Sequence, residues 1–286
     1  MMDHLSFRLP EAFVDGYKDK HIEWGFDIGG GNSLSELTYI TKYSMKREDG
    51  SKERWHETCE RVINGMFSIL KDHAKMNGTY WNGNQAMYSA KEAYDRMFYF
   101  KWTPPGRGIE NMGKAIVNKE RNSAQLFNCS FISTEKLSTA SVSLATRPFV
   151  LLMEQSLNGI GVGYDTLGAG KINLSSPRID PDTNEYTIED TREAWAASLG
   201  QLLECFFFPG RSLIRFDYSQ LRAAGTPLKR AGGTASGPEP LIRMHEKIVE
   251  LLINRDGEAI TDMDIMDICN LAAKAVVSGG SDVLPF

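Results

Sequence analysis

The sequence contains four cysteines, whose thiols are its most reactive side chains. They lie far apart and form no CxxC pair, so their spacing predicts neither a metal site nor a disulfide framework. Cys129 is distinctive because it follows Asn128 within a short apolar, β-rich segment. None of the five histidines lies in a recognisable catalytic motif, so a nucleophile activated by histidine is not predicted. A redox cysteine needs only access to a substrate and to a partner thiol.

A buried structural role is the alternative for every cysteine, since free cysteine is among the most buried residue types. Three of the four occur at apolar positions of predicted helices, and we expect them in the core: Cys59, Cys205 and Cys269. At Cys129 the local sequence leaves both interpretations open.

Two glycine-rich segments have the composition of phosphate-binding loops, which present backbone N–H groups to the ligand. The first, residues 161–171, lacks the GxxxxGK[ST] spacing of a P-loop. Its candidate ligand-contacting residues are Gly163, Asp165, Thr166 and Lys171. The second is the run Gly232, Gly233, Thr234, Ala235, Ser236 and Gly237, whose small hydroxyls and free amides suit a nucleotide. A structural turn and a plain surface loop are the respective alternatives.

A third candidate is Arg107, which lies in the proline- and glycine-rich run at 104–108. The guanidinium group suits oxyanions, so this arginine is a candidate phosphate contact. The alternative is a rigid turn that carries a solvated arginine.

The elements that would position these residues follow from hydrophobic periodicity. Apolar residues recur at three- and four-residue spacings in six predicted helices: 53–76, 84–99, 141–158, 190–206, 239–254 and 261–278. Strands are predicted at 126–133, where we expect a buried strand, at 214–218, and as an extended arm at 36–46. Asp190 or Thr191 would cap one helix, and Thr261 with Asp264 forms a capping box before another. The chain is therefore mainly helical up to residue 100 and α/β after it.

Composition excludes several classes of protein. The net charge of −5 argues against a partner that is a nucleic acid polymer, because such binding needs clustered positive charge. No apolar stretch approaches the length of a membrane span, and the first residues do not form a signal peptide. The expectation is a cytoplasmic protein with reduced thiols.

Together and in this order, the motifs resemble the class II, adenosylcobalamin-dependent ribonucleotide reductases, especially the monomeric ribonucleoside-triphosphate reductases. The resemblance extends from about residue 20 to residue 280. It is carried by these segments: PPGRG at 104–108, NCSFIST at 128–134, GIGVGYDT at 159–166, GTPLK at 225–229, GGTASGP at 232–238 and DIMDICN at 264–270.

The resemblance implies a ten-stranded α/β barrel, of which residues 101–286 would form the first half, after a mainly helical region at 1–100. It implies an adenosylcobalamin cofactor, a ribonucleotide substrate, a deoxynucleoside triphosphate effector and a thioredoxin-like reductant. Cys129, beside Asn128, would be one of two reducing cysteines. The loop at 232–237 would connect the effector site to the substrate, and residues 161–171 would belong to the effector region. The segment 171–225 resembles the insertion that replaces a partner subunit in the monomeric enzymes.

The sequence departs from the family pattern at its end. The family continues after residues 277–280 with a small residue and two arginines, whereas this chain reads SDVLPF at 281–286. The radical cysteine, the second reducing cysteine and the terminal cysteine pair are missing. We therefore expect that a second polypeptide completes the barrel and that the single chain does not reduce ribonucleotides. A half-barrel would also expose a strand edge. The alternatives are a non-catalytic deoxynucleotide-binding module and an inert truncated product.

Overall fold

The computed structural model describes residues 4–25, 33–47, 50–180, 185–226 and 235–278. The chain divides into two compact units, Met1–Phe127 and Asn128–Phe286. The first unit is helical, and the second combines long helices with short parallel strands. The expected helical beginning and α/β continuation are both observed.

The described residues of the first unit form six α-helices. They are α1 (Glu11–Asp15), α2 (Leu34–Thr38), α3 (Trp55–Met76), α4 (Gly83–Phe98), α5 (Gly106–Asn111) and α6 (Ala115–Asn118). A π-helical turn, Tyr39–Tyr43, continues α2, and a 3₁₀ turn covers Ser123–Leu126. The helices predicted at 53–76 and 84–99 are confirmed as α3 and α4.

The strand predicted at 36–46 is wrong, because most of this segment is helical. The Ser33 side chain accepts a hydrogen bond from the Ser35 backbone N–H and so caps α2. Tyr39 is buried, stacks on Trp24 and donates its hydroxyl hydrogen bond to the Glu53 carbonyl. Tertiary packing of one tyrosine therefore outweighs the weak alternation that indicated a strand.

The core of the first unit forms where α3 and α4 pack together. Tyr94 and Phe98 of α4 are almost fully buried, as is Trp55 at the start of α3. The Trp55 indole donates a hydrogen bond to the Phe98 carbonyl, which fixes the two helices at this end. Cys59 lies in this core, as predicted.

In the part of the second unit that the structure describes, there are four α-helices and four strands. The helices are α7 (Val142–Leu157), α8 (Arg192–Phe207), α9 (Glu239–Leu252) and α10 (Asp262–Ser278). The strands are β1 (Cys129–Ile132), β2 (Gly161–Tyr164), β3 (Glu185–Thr187) and β4 (Arg215–Asp217). β1 pairs in parallel with β2, and β3 pairs in parallel with β4.

Helices α7 to α10 confirm the four remaining helix predictions, and their caps show why. Thr191, rather than Asp190, is the N-cap of α8, and its side chain accepts the Ala194 N–H. Thr261 and Asp264 form the predicted capping box before α10, with hydrogen bonds in both directions. The apolar faces of these helices form one core that includes Cys205 and Cys269.

Two strand features were not foreseen. Residues 161–164, interpreted as part of a glycine-rich loop, form strand β2, and β3 was not predicted. β2 is a strand because its backbone pairs with β1, a long-range interaction that local composition does not reveal. No described helix combines the length and the apolar character needed to cross a membrane.

Candidate functional site

Cys129 begins β1, and its side chain is exposed. In the parallel register it lies opposite Gly161, and Phe131 lies opposite Gly163. Successive side chains of a strand point to opposite faces, so these four residues share one face of the β1–β2 pair. Ile132 points to the other face and is buried in the core. The prediction of a buried strand is therefore correct for one face only, because Cys129 and Phe131 are exposed.

The two glycines leave the surface beside the thiol open. A Cβ atom added at Gly161 would lie 3.7 Å from the Asn128 carbonyl oxygen, and one added at Gly163 would lie 3.3 Å from the Phe131 ring. Asn128 contributes through its backbone, since its carbonyl accepts the Gly161 N–H at 2.9 Å. A ligand can thus approach the Cys129 thiol over a strand that presents only backbone at these positions.

The remaining cysteines are not available in the same way. Cys59, Cys205 and Cys269 are all buried, and burial raises the pKa of each thiol, that of Cys269 to about 12. The thiolate is the reactive form of cysteine. Cys129 is therefore the cysteine of this chain that is suited to react with a ligand.

Asp165 joins the carboxyl ends of β1 and β2. Its carboxylate accepts hydrogen bonds from the Thr134 backbone N–H and hydroxyl, both at 2.8 Å, and from the Leu167 N–H at 3.3 Å. Burial alone would raise the pKa of Asp165, but these hydrogen bonds, with one from Ser133, lower it. The carboxylate is already bound by donors of the protein itself, so the role of Asp165 is to hold together the chain segments that follow β1 and β2.

The candidate effector residues do not form one cluster. Gly163 lies within β2 on the face of Cys129, whereas Thr166 and Lys171 follow in the turn beyond the strand. The Thr166 carbonyl accepts the Ala169 N–H, and the Lys171 ammonium donates to the Glu135 carbonyl. Cys129 lies five residues before Thr134, roughly 16 Å along an extended chain. The thiol and the turn therefore occupy opposite ends of the strand pair.

Of the second glycine-rich loop, Gly232, Gly233 and Thr234 lie outside the described residues. Ala235, Ser236 and Gly237 are described, and Ala235 pairs with Gly225 and Thr226 to form what we call the loop base. The Gly225 N–H donates to the Ala235 carbonyl, and the Ala235 N–H donates to the Thr226 carbonyl, both at 2.8 Å. Ser236 donates its hydroxyl to the Gly237 carbonyl. These backbone hydrogen bonds close the loop just before α9 begins.

Gly237 is required at this base for two reasons. Its φ of +77° lies in the left-handed region, where a side chain is strained. A Cβ atom there would also lie 3.0 Å from the Ala224 backbone nitrogen. Glycine therefore allows the two flanks of the loop to meet.

Arg107 belongs to the first unit and lies on α5, with its Nη1 atom 3.9 Å from the Glu110 carboxylate. The segment around it is held by Arg61, which is buried and forms a bidentate ion pair with Glu53, with two contacts of 2.9 Å. Arg61 also donates to the backbone carbonyls of Ile109 and Met112. The position of Arg107 thus depends on a buried ionic network.

Sequence reasoning missed buried polar groups, including the Arg61–Glu53 pair and the imidazole of His245 in α9. This imidazole hydrogen-bonds Tyr218 at 2.8 Å and Ser198 at 3.0 Å. The available signal was its position on the apolar face of the helix, between Leu241 and Ile248. A histidine on such a face must find hydrogen-bond partners in the core.

Comparison with known proteins agrees with this architecture. The family model of the ribonucleotide reductase alpha domain matches residues 9–114, and that of the B12-dependent ribonucleotide reductase insertion domain matches residues 163–252. Together they match most of the chain. The segment 171–225, which was expected to be an insertion, lies inside the second match.

Two similar proteins are an adenosylcobalamin-dependent ribonucleoside-triphosphate reductase from Euglena gracilis and a probable one from Dictyostelium discoideum. The first is 37% identical over 275 residues, which is 96% of this chain and 36% of that protein. The second is 36% identical over 289 residues, which is 96% of this chain and 37% of that protein. The chain thus spans little more than a third of the length of these relatives.

A crystal structure of a B12-dependent, class II ribonucleotide reductase superposes on this chain with a TM-score of 0.76 and 25% identity. The match covers 95% of this chain and 43% of that one. It confirms the expected fold class. From the two family models, the similar sequences and the shared fold, we conclude that the chain belongs to the adenosylcobalamin-dependent, class II ribonucleotide reductase family.

Proposed function

We propose that this chain supplies one reducing cysteine and the specificity loop of an enzyme that converts ribonucleotides, in the triphosphate form, to 2′-deoxyribonucleotides. The observation that carries the proposal is the exposed Cys129 thiol opposite Gly161, in a chain of this family. The similar proteins named above are triphosphate reductases, which favours a triphosphate substrate.

The reaction at Cys129 is one half of a two-electron step. Replacement of the 2′-hydroxyl by hydrogen, with release of water, requires two electrons and two protons, and two thiols supply them when they become a disulfide. The Cys129 sulfur would form one half of that disulfide. The second thiol would come from the rest of the enzyme, because Cys59, Cys205 and Cys269 are buried. A thioredoxin-like protein would then reduce the disulfide by thiol exchange.

The cofactor of this proposed enzyme is adenosylcobalamin, which supplies a radical through homolysis of its cobalt–carbon bond. Its cobalt is already held by the corrin ring, so the protein need not provide a ligand cluster. Within the described ranges, no three His, Cys, Asp or Glu side chains are grouped to hold a metal ion. The exposed face around Cys129 leaves the thiol accessible to a nucleotide.

The proposed allosteric part of the chain comprises residues 163–171, which are the end of β2 and the turn after it, and the loop at 232–237. A deoxynucleoside triphosphate bound there would select the base to be reduced through the position of the loop. Such coupling is reciprocal, so the matching substrate should in turn tighten effector binding. The backbone hydrogen bonds between Gly225 and Ala235 would hold the two ends of the loop in place while its position changes.

The chain spans 36% of the length of the Euglena relative, and we propose that the part of the reductase beyond the matched residues completes the enzyme. We place this enzyme in the cytoplasm, where thiols are kept reduced. The second candidate function is a deoxynucleotide-binding module without catalysis.

Reconstitution with a polypeptide that carries the remaining part of the reductase tests these proposals. We expect cobalamin-dependent turnover from the pair and none from the single chain. Cys129→Ser should abolish turnover and leave deoxynucleotide binding intact, whereas the matched variant Cys205→Ala, at a buried thiol, should retain both. Binding without turnover would support the binding module, and loss of both in the unmodified pair would indicate an inert product.

A further inference from the structure

His245 in α9 forms a closed chain of hydrogen bonds inside the second unit. The Ser198 hydroxyl donates to the Trp195 carbonyl at 2.7 Å, so it must accept from the Nε2–H of His245 at 3.0 Å. Burial lowers the pKa of His245 and keeps the imidazole neutral, so its Nδ1 atom carries no hydrogen and accepts the Tyr218 hydroxyl at 2.8 Å. Each of these three hydrogen bonds therefore has a defined donor and acceptor.

The surroundings of the imidazole fix it firmly. His245 is 3% exposed and Ser198 is fully buried. The Phe216 ring stacks on the imidazole, with centroids 4.2 Å apart and planes 20° from parallel. Phe216 and Tyr218 come from β4 and the residues after it, whereas Ser198 comes from α8. His245 therefore links three elements of the unit through specific contacts.

The hydrogen bond between Tyr218 and His245 joins segments that lie on either side of the glycine-rich loop in the sequence. Tyr218 precedes the loop base at Gly225 and Thr226, and His245 follows the base at Ala235. On the first flank, Leu221 is buried and its N–H donates to the Tyr218 carbonyl. On the second flank, α9 buries Leu241. The hydrogen bond between Tyr218 and His245 thus connects the two flanks directly.

We propose that Tyr218 and His245 are positioning residues for the loop base, which is formed by Gly225, Thr226 and Ala235. They hold this loop base in the arrangement from which the loop selects the nucleobase of the substrate. The part of this inference that concerns selection rests on the proposed function. The part that concerns the loop base does not, because it depends only on contacts inside the second unit.

The first experiment measures hydrogen exchange of the Gly225 and Ala235 amides on the full chain. Tyr218→Phe removes only the hydroxyl and leaves Nδ1 unpaired, and we expect exchange of both amides to accelerate about tenfold. Amides within α10 should change by no more than about twofold. Tyr186→Phe, at a tyrosine that also contacts Phe216, is the matched control and should leave all these rates unchanged.

Two results would overturn the inference: unchanged exchange at Gly225 and Ala235, or an equal acceleration throughout the unit, which reports only a general loss of stability. His245→Gln provides a second variant if Tyr218→Phe does not fold, because the glutamine side chain can still donate toward Ser198 but lacks Nδ1. The same pattern of exchange is expected for it.

The second experiment measures base selection in the reconstituted enzyme. We expect the effector-dependent preference among ribonucleotides to fall about tenfold in Tyr218→Phe, while turnover without effector stays within about twofold of the unmodified enzyme. Equal preference in both enzymes would refute the role in selection. If the unmodified enzyme shows no preference at all, the proposed function fails, and the exchange experiment still decides the role at the loop base.

Discussion

Cys129 lies directly opposite Gly161 in the parallel pairing of β1 and β2, so the strand beside the thiol presents only backbone at that point. Phe131 and Gly163 repeat the arrangement two residues further along the same face. The opposite face is buried in the core, which fixes the strand. The result is a strand anchored by its buried face that offers one thiol on its exposed face.

This arrangement predicts the number of reactive thiols. With an excess of a chromogenic disulfide reagent, the folded chain should release one equivalent of thiol rapidly, and the unfolded chain should release four. The reason is that Cys59, Cys205 and Cys269 are buried, and attack requires an accessible thiolate. Cys129→Ser should remove the rapid phase. A rapid phase that persists in this variant would show that a buried cysteine is accessible in solution.

A second prediction concerns the open space at Gly161. Gly161→Val should slow the reaction of Cys129 with the same reagent about three- to tenfold, because the new side chain covers the face of the thiol. Stability should change by less than about 1 kcal/mol, since a Cβ meets only ordinary contact here and valine suits a strand. Gly161→Ala, which adds one carbon, is the control and should have a smaller effect. Equal labelling rates in all three proteins would mean that the glycine does not govern access.

Much of the helical framework could be predicted from the sequence, because each long helix combines a periodic apolar face with recognisable ends. Thr191 and the Thr261–Asp264 pair illustrate this, since both caps occur where the sequence places them. Cys59, Cys205 and Cys269 were predicted in the core for the same reason, as members of apolar helix faces.

The strands and the site were harder to predict because they depend on partners distant in sequence. Gly161 and Gly163 look like turn residues locally and become strand residues only through pairing with β1. The apolar run around Cys129 predicted burial on both faces, whereas one face is open. Asp165 was a candidate ligand contact by its neighbourhood, and its commitment to Thr134 appears only when the two strand ends meet.

The hydrogen bonds between the Asp165 carboxylate and Thr134 give a third prediction. Asp165→Ala should lower the free energy of unfolding by about 1 to 3 kcal/mol at pH 7, because the Thr134 donors lose a charged acceptor. The folded pKa of Asp165 is lower than its ordinary value, so its contribution is present above the unfolded pKa and is lost as the pH falls through the folded one. The destabilisation by the variant should therefore shrink in acid. Urea unfolding of both proteins at neutral and acidic pH measures it, and a constant difference would contradict the prediction.

The buried ion pair in the first unit gives a fourth prediction. Arg61→Met should destabilise the protein by about 3 to 5 kcal/mol, because Glu53 would keep a buried charge without its partner. Arg96→Met removes an exposed pair with Glu92 and should cost less than about 0.5 kcal/mol. Urea unfolding curves provide the comparison. Adding Glu53→Gln to Arg61→Met should restore part of the loss, and no recovery would indicate that the carbonyl contacts of Arg61 matter more than the charge.

The buried imidazole of His245 gives the last prediction, which concerns acid stability. Burial lowers the pKa of His245 to about 3, whereas the unfolded pKa is about 6.5. Between these values the unfolded chain binds a proton that the folded chain does not. The contribution of His245 is therefore complete above pH 6.5 and falls by about 1.4 kcal/mol per pH unit as the pH decreases toward 3.

His245→Gln should remove this dependence, so the stability difference between the unmodified protein and the variant should narrow as the pH falls from 7 to 4. Tyr218→Phe separates the charge effect from the hydrogen bond, because it loses the hydroxyl but keeps the buried imidazole. It should retain the steeper slope of the unmodified protein. Urea unfolding at several pH values measures both slopes, and parallel curves for His245→Gln and the unmodified protein would show that the imidazole accepts its proton without unfolding.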